Sequence, residues 1–272
     1  MMTISAAATP PEGPRSNGAN GARPSQTGLP GGPRSIAMPP DPAVEMEMRK
    51  RRILRRASMT AGAAPASQQV LVDTGVVHRI SKGRALLSQG DPATSIAFVG
   101  MGRLRVTRSL GGTRSLSLGY RGAGDVVGES ALAGIAAYRD TAIATEDVEA
   151  LLVPVATARA LIAADQAFGS GFVTMLVERQ TETEDRVASL LYRNVEQRLA
   201  ELLIRSVARW GIPEPRGVLI AAPFTHQEMA SMIGSTRETV TLTLGDLRKK
   251  GIIDVDRRRI VVLDREALKS RV

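Results

Sequence analysis

The sequence predicts an α+β chain in four segments. A Pro/Gly-rich tail over residues 1–66 precedes a small antiparallel β-barrel or jelly roll over 67–165. A long helix over 166–195 then leads into a winged helix–turn–helix over 196–272. Three observations predict this order. Short strand-like runs separated by glycine turns begin near residue 70, helical periodicity replaces them after residue 157, and two short capped helices precede a basic β-hairpin near the end.

Composition narrows the functional classes. Hydrophobic residues make up 43% of 272 and aromatics only 3%, so the core is aliphatic. The absence of cysteine excludes disulfides, iron–sulfur clusters and thiolate metal sites, and is compatible with a reducing cytoplasm. His78 and His226 are far apart and lack a metal-ligand spacing, so no metal site is expected. No run of 18 apolar residues predicts a membrane span, and the first residues lack the apolar core of a secretory signal. No nucleophile–base pair or paired carboxylates form a recognisable catalytic set, so no enzyme is expected.

The net charge of +9 is unevenly distributed: +5 over residues 1–66, −1 over 67–192 and +5 over 193–272. A near-neutral middle between two basic ends fits a nucleic-acid binder. Ten of the fifteen prolines fall in residues 1–65, a composition expected to remain disordered. Near the end of that tail, "RKRRILRR" reads either as a short basic helix on DNA phosphates or as a solubilising segment.

Each later element has its own signal. "GRLRVTRSL" and "TRSLSLGYR" meet at Gly111-Gly112, a hairpin turn signal. "LLSQGDPATSIAFVGMG" and "TAIATEDVEALLVPV" add further strands, giving six to eight in all. "GAGDVVG" over 122–128 has the wrong spacing for a dinucleotide loop and no βαβ unit around it. The long helix, with a break expected near Arg193, places Phe172, Met175, Leu176, Val187, Leu190 and Leu191 near a coiled-coil seam. "RQTETEDR" interrupts that seam, which predicts a homodimer with a polar centre.

The C-terminal pattern is the most specific. After the link "GIPEPRG", Thr225 with Glu228 reads as a capping box, and Ser235 with Glu238 repeats it after Gly234. "IIDVDRRRIVVL" reads as the winged hairpin. The second helix of such a motif aims its N-terminal residues at base edges in double-stranded DNA. Arg237 suits guanine O6 and N7, and Glu238 suits cytosine N4. Thr236, Thr239, Arg248, Lys249 and Lys250 are placed for phosphates, and Thr225, Ser235 and Thr241 complete the candidate DNA-facing set.

Over about residues 70–265 the chain resembles the CRP/FNR superfamily, the regulators typified by the cyclic-AMP receptor protein. "GSTRETV" is similar to its recognition-helix motif and "GDVVGESALAG…YRDTA" to its phosphate-binding cassette. The resemblance implies a cyclic-nucleotide-binding-type barrel, a dimerisation helix and a cytoplasmic homodimer on a palindromic operator with TGTGA-like half-sites. It also implies RNA polymerase as a partner. The position one turn beyond Glu238, usually Arg in that family, is here Leu242.

The same resemblance marks an effector pocket. It implies Gly128 and Glu129 at a ribose and Arg139 at a cyclic phosphate, flanked by Ser130 and Thr141, with Thr183 on the long helix facing an adenine. Cyclic AMP is the effector this pattern implies. Asp140, in place of a small neighbour, and Glu184, in place of Ser, depart from it. A carboxylate about 4 Å from a phosphate repels it by roughly 1 kcal/mol in water. Arg179 with Glu184 resembles instead the nitrogen-control branch, in which Arg139 and Arg179 would hold the carboxylates of 2-oxoglutarate. A third alternative is a pocket filled by its own salt bridges, with DNA bound without an effector.

Overall fold

The computed structural model describes residues 41–272, except 113–114, 222–223 and 257–258. The described chain begins with helices α1 (Pro42–Leu54) and α2 (Pro65–Thr74), joined through a 3₁₀ turn at Ser58–Thr60. Eight strands follow: β1 (Val76–Ile80), β2 (Ala85–Leu87), β3 (Ser95–Met101), β4 (Leu104–Ser109), β5 (Ser115–Arg121), β6 (Val126–Val127), β7 (Thr141–Ala144) and β8 (Val148–Pro154). They form two four-stranded antiparallel sheets in the orders β1-β8-β3-β6 and β2-β7-β4-β5. The sheets pack face to face as a jelly roll. No strand pairing among the described residues closes them into a barrel.

Val99, Leu104, Val106, Val127 and Ala142 fill the space between the sheets. The outer face of the β1-β8-β3-β6 sheet is also covered. Ile96 and Phe98 of β3, with Leu151 and Val153 of β8, pack against Ile53, Leu54, Leu71, Leu161 and Phe168. Five consecutive buried residues in β3 follow from this two-sided burial, which is why its sequence shows no alternation.

That covering layer corrects the tail expected over residues 1–66. Of that segment, residues 1–40 lie outside the described residues, and residues 41–66 are folded. Asp41 caps α1 by accepting from the Ala43 N–H at 2.8 Å, with Pro42 at the first helical position. The basic run does form a helix, and several of its cations are engaged within the protein. Arg49 pairs with the buried Glu149 at 3.3 Å, and Lys50 donates to the Val72 carbonyl at 2.8 Å. Arg51 pairs with Glu47 at 2.7 Å, and Arg56 donates to the Gly100 carbonyl at 2.7 Å. Ile53, Leu54, Ala57 and Met59 are buried beneath them. Gly100 allows the close approach: a Cβ there would lie 2.4 Å from Ile53 Cγ1.

Helix α3 (Val155–Ala164) ends at Asp165, which begins α4 (Gln166–Tyr192). The Asp165 carboxylate accepts from the Ala167 and Phe168 N–H groups at 3.0 and 3.1 Å, and from the Ala64 N–H at 2.8 Å. One cap therefore starts the long helix and ties the N-terminal segment to it. The break expected near Arg193 is present: Asn194 and Gln197 form a capping box that starts α5 (Val195–Trp210). No single described helix is long and apolar enough to cross a membrane.

The C-terminal part contains β9 (Gly211–Glu214), β10 (Gly217–Ile220), α6 (His226–Ile233), α7 (Arg237–Lys249), β11 (Ile253–Asp256), β12 (Arg259–Val262) and α8 (Arg265–Lys269). Its sheet order, β11-β12-β10-β9, makes β9 an edge strand. The segment read as a Pro-rich link is therefore a hairpin, and Pro213 is tolerated because an edge strand has one unpaired side. Leu199, Leu203, Met229, Val240, Leu244, Leu247 and Ile260 form this part's core, which Tyr120 of β5 also joins.

Two substitutions test these contacts. Ile53→Ala removes a fully buried side chain and is expected to cost about 2–5 kcal/mol in denaturant unfolding, independent of pH. Asp165 behaves differently. The Ser67 hydroxyl first, then the Phe168 and Ala64 N–H groups, hold its carboxyl down at about 2. Its folded pKa lies below its unfolded one, so its contribution is full above about pH 4 and is lost as pH falls toward 2. Asp165→Ala should lower the melting temperature at pH 7, and the gap to wild type should narrow between pH 4 and pH 2. A gap of constant size would show that the charge plays no part.

Candidate functional site

Two sites emerge, one on α7 and one between the sheets. In α6, Thr225 and Glu228 form the expected capping box: the Glu228 N–H donates to Thr225 Oγ1 at 3.1 Å and the Thr225 N–H to Glu228 Oε2 at 2.8 Å. Gly234 closes α6 in the left-handed region at φ 62°. The second capping box, expected at Ser235 and Glu238, does not form. The turn after Gly234 extends through Ser235, so Thr236 becomes the cap and its Oγ1 accepts from the Thr239 N–H at 3.2 Å. Glu238 thus falls in the first turn, exposed and not folded back on the cap. The positive end of the helix favours its carboxylate there.

The resulting face is simple. Arg237 and Glu238 are exposed and make no ion pair within the described residues. Leu242, one turn beyond Glu238, is 71% exposed, while Val240, Leu244 and Leu247 point into the core. Thr241 is exposed, but its hydroxyl donates to the Arg237 carbonyl at 2.8 Å and meets His226 Nδ1 at 2.7 Å. Thr239 and Thr236 share a hydroxyl contact at 2.9 Å. Arg248 lies 3.6 Å from Asp254, Lys249 3.7 Å from Asp246 and Lys250 3.3 Å from Glu196, all at or near the surface.

The second site is a small cleft of about 60 Å³, partly open to solvent. Gly128, Glu129, Ser130, Arg139 and Asp140 line it over a floor that includes Leu87, Val106 and Leu118. Gly128 adopts φ 82°, and a Cβ would meet Leu87, the Ser95 carbonyl and Tyr138 at 3.0–3.2 Å, so glycine is required. Tyr138, missed in the sequence, donates its hydroxyl to the Ser95 carbonyl at 2.7 Å and fixes the loop that carries Arg139.

The charges arrange themselves differently from the expectation. Asp140 pairs with Arg108 of β4 at 2.7 Å, which offsets much of its repulsion for an incoming anion. Glu129 pairs with Arg179 of α4, which also donates to the Val126 carbonyl. Internal salt bridges do form at the cleft, as the self-filled alternative has it, but through Arg108 and Arg179 rather than Arg139 and Glu184. Arg139 is exposed without an ion pair among the described residues, and Glu184 accepts from Gln180 Nε2 at 2.8 Å. Thr183 donates to the Arg179 carbonyl at 2.9 Å, and Thr141 accepts from the Gln89 N–H at 3.0 Å. Thr141, Thr183 and Glu184 do not line this chain's own cleft. Arg108 and Arg121, which border it, carry no sequence signal, because their partners are distant in the chain.

With this geometry established, comparisons place the chain. Residues 77–165 match the family model of the cyclic nucleotide-binding domain, and residues 197–271 that of the Crp-like helix–turn–helix domain. The chain is 28% identical over 197 residues to the global nitrogen regulator of Synechococcus elongatus, spanning 72% of this chain and 89% of that protein. It is 24% identical over 219 residues to the CRP-like cAMP-activated global transcriptional regulator of Mycobacterium tuberculosis, spanning 80% and 98%. A CooA mutant from Carboxydothermus hydrogenoformans has a similar structure, with a TM-score of 0.62 at 25% identity over 74% of this chain and 89% of that chain. A jelly roll, one long helix and a winged helix–turn–helix in this order, with both domain matches in register, place the chain in the CRP/FNR family of DNA-binding transcription regulators.

Proposed function

We propose that the chain acts as a homodimer that reads a palindromic operator in double-stranded DNA and is gated by a small anionic effector in the cleft. The observation that carries this reading is the start of α7: an Arg and a Glu, both exposed and without an ion pair among the described residues, on a capped helix end followed by exposed Leu242. Arg237 suits a bidentate contact with guanine, Glu238 accepts from cytosine, and Leu242 suits a thymine methyl. Ser235, Thr236, Arg248, Lys249 and the N-terminus of α6 at Thr225 contact phosphates. Thr239 and Thr241 hold these elements in place.

The outer face of α4 supports the homodimer. Val173, Leu176, Val187 and Leu190 are 58, 40, 51 and 41% exposed. With Gln180 and Thr183 between them they keep the alternating three- and four-residue spacing of a coiled-coil seam. An uncovered stripe of this length on a soluble helix calls for a partner of the same pattern. In such a dimer, Thr183 and Glu184 at the polar centre face the partner's sensor. Arg139, Gly128 and Ser130 hold the effector, and cyclic AMP is the first molecule to test, since the Mycobacterium tuberculosis relative is named as cAMP-activated. The regulator works in the cytoplasm through RNA polymerase.

Two measurements test the reading. In fluorescence anisotropy on a duplex with TGTGA-like half-sites, Arg237→Ala should weaken binding by roughly 5- to 150-fold and relax discrimination at one G·C pair. Unchanged affinity would remove Arg237 from the reading face. In sedimentation experiments Leu176→Glu with Val187→Glu should yield a folded monomer that no longer binds the palindrome. A dimer that persists would place the interface elsewhere.

A further inference from the structure

Starting from the DNA-reading face proposed above, we infer that His226 is a further contact to the DNA backbone. It makes this contact as an imidazolium, so that binding DNA takes up a proton at each protomer.

His226 is the first residue of α6, directly after the Thr225 cap, and is half-buried. Its Nδ1 meets Thr241 Oγ1 of α7 at 2.7 Å. Thr241 stands one turn beyond Arg237, so the ring sits at the border of the face that carries Arg237 and Glu238. With α7 in a major groove, a side chain on the first turn of the preceding helix meets the phosphates along the groove's edge.

The threonine hydroxyl decides which ring nitrogen carries the hydrogen. Thr241 has one hydroxyl proton, and it is donated to the Arg237 carbonyl at 2.8 Å. Toward His226 the oxygen is therefore an acceptor, and Nδ1 is the protonated nitrogen of the neutral ring. Nε2 keeps a lone pair and has no hydrogen-bond partner among the described residues. A lone pair cannot hold a phosphate oxygen. Protonation turns Nε2 into a charged donor that can.

The surrounding elements supply no competing anion. Glu228, two residues along α6, accepts from the Thr225 N–H and pairs with Arg105 of β4. Glu238 on α7 is exposed, and the ring makes no ion pair among the described residues. The remaining charges packed around α6 are cations: Arg237 on α7, Arg186 of α4 on the Ser231 carbonyl, and Arg198 of α5 on the Gly234 carbonyl. From β5 comes the neutral phenol of Tyr120. The anion that answers an imidazolium here is the DNA. A phosphate favours the protonated ring, so affinity rises as pH falls through the range in which imidazoles titrate, about pH 8 to 5.

Fluorescence anisotropy of the full chain at pH 6 and pH 8, across a salt series, tests this on the palindromic duplex and on a scrambled duplex of equal length. A phosphate contact is independent of sequence, so wild type should bind both about tenfold more tightly per protomer at pH 6. Its salt slope should be steeper at pH 6 by about 0.9 per protomer, the signature of one more neutralised phosphate. His226→Arg, with a permanent charge, should bind at pH 8 as wild type does at pH 6. His226→Gln should stay near the wild-type pH 8 affinity, and both variants should lose the pH response. His78→Gln, which removes the chain's other histidine, should keep it.

Equal affinities and salt slopes at both pH values in wild type overturn the proposal. So does a response that both His226 variants retain or that His78→Gln abolishes. In each case a continued preference for the palindrome leaves the reading face standing. Loss of that preference, with a pH response that still depends on His226, strikes the sequence reading and keeps the backbone contact. Binding to neither duplex overturns both. If one His226 variant does not fold, the other carries the same comparison.

Discussion

The position of the reading helix relative to the effector cleft depends on one aromatic cluster. Tyr120 is the next-to-last residue of β5, Trp210 ends α5 and Phe224 precedes α6. Their rings meet edge-on at centroid distances of 6.1, 5.1 and 5.7 Å. Arg103 and Arg209 lie against Trp210 at 5.3 and 5.2 Å. Aromatic pairs of this geometry contribute about 0.5–1.5 kcal/mol each beyond the area they bury, and guanidinium–indole contacts add to them. In a chain with only 3% aromatic residues, three of them converge at this one junction. The phenol of Tyr120 is pushed to a higher pKa by burial first and then by Glu228, so it stays neutral there. Without this cluster the reader would be tethered to the sensor by little more than α5 and polar contacts.

Those polar contacts set direction more than stability. Arg105 reaches Glu228 at 3.3 Å, so the sheet touches the capping box of α6. Arg103 donates to the Ala221 carbonyl at 2.7 Å. Partly exposed ion pairs contribute at most about 1 kcal/mol each, whereas each buried Leu or Ile contributes about 1.5–3 kcal/mol. The apolar contacts of Leu199, Leu203 and Val240 therefore hold the reader together, and the arginines determine which way it faces.

What was legible in the sequence was local. The Thr225 cap, the Gly234 turn and the Gly111-Gly112 hairpin need only residues a few positions apart, and each is present. The second cap fell one residue late because Ser235 and Thr236 are both good caps, and only the length of the turn decides between them. A short basic helix was one reading of the run, but its burial was illegible because Ile53 and Leu54 sit inside six basic residues, and composition weighs the charges rather than the two side chains that become buried. The β9–β10 hairpin was hidden by a proline whose tolerance depends on a sheet edge that only the tertiary fold defines. The cleft's glycine and arginine were implied by the family resemblance. Arg108, Arg121 and Tyr138 did not, because the groups that give them meaning come from strands and loops far along the chain.

A single rigid element connects the parts. Arg179 on α4 holds Glu129 at the cleft, and two turns later Arg186 donates to the Ser117 carbonyl of β5 at 2.7 Å and the Ser231 carbonyl of α6 at 3.3 Å. The seam residues lie on the outer face of the same helix. An α-helix rises 1.5 Å per residue and does not compress, so a shift at Arg179 is carried to Arg186 about 10 Å away. A ligand that competes for Glu129 would loosen the contact holding α4 against the sensor, and with it the contact that orients α6. Binding linkage then fixes the reverse effect: by whatever factor an effector changes affinity for DNA, DNA changes affinity for that effector by the same factor. Among the described residues, the Glu129–Arg179 pair joins the cleft wall to the helix that also contacts β5 and α6 through Arg186.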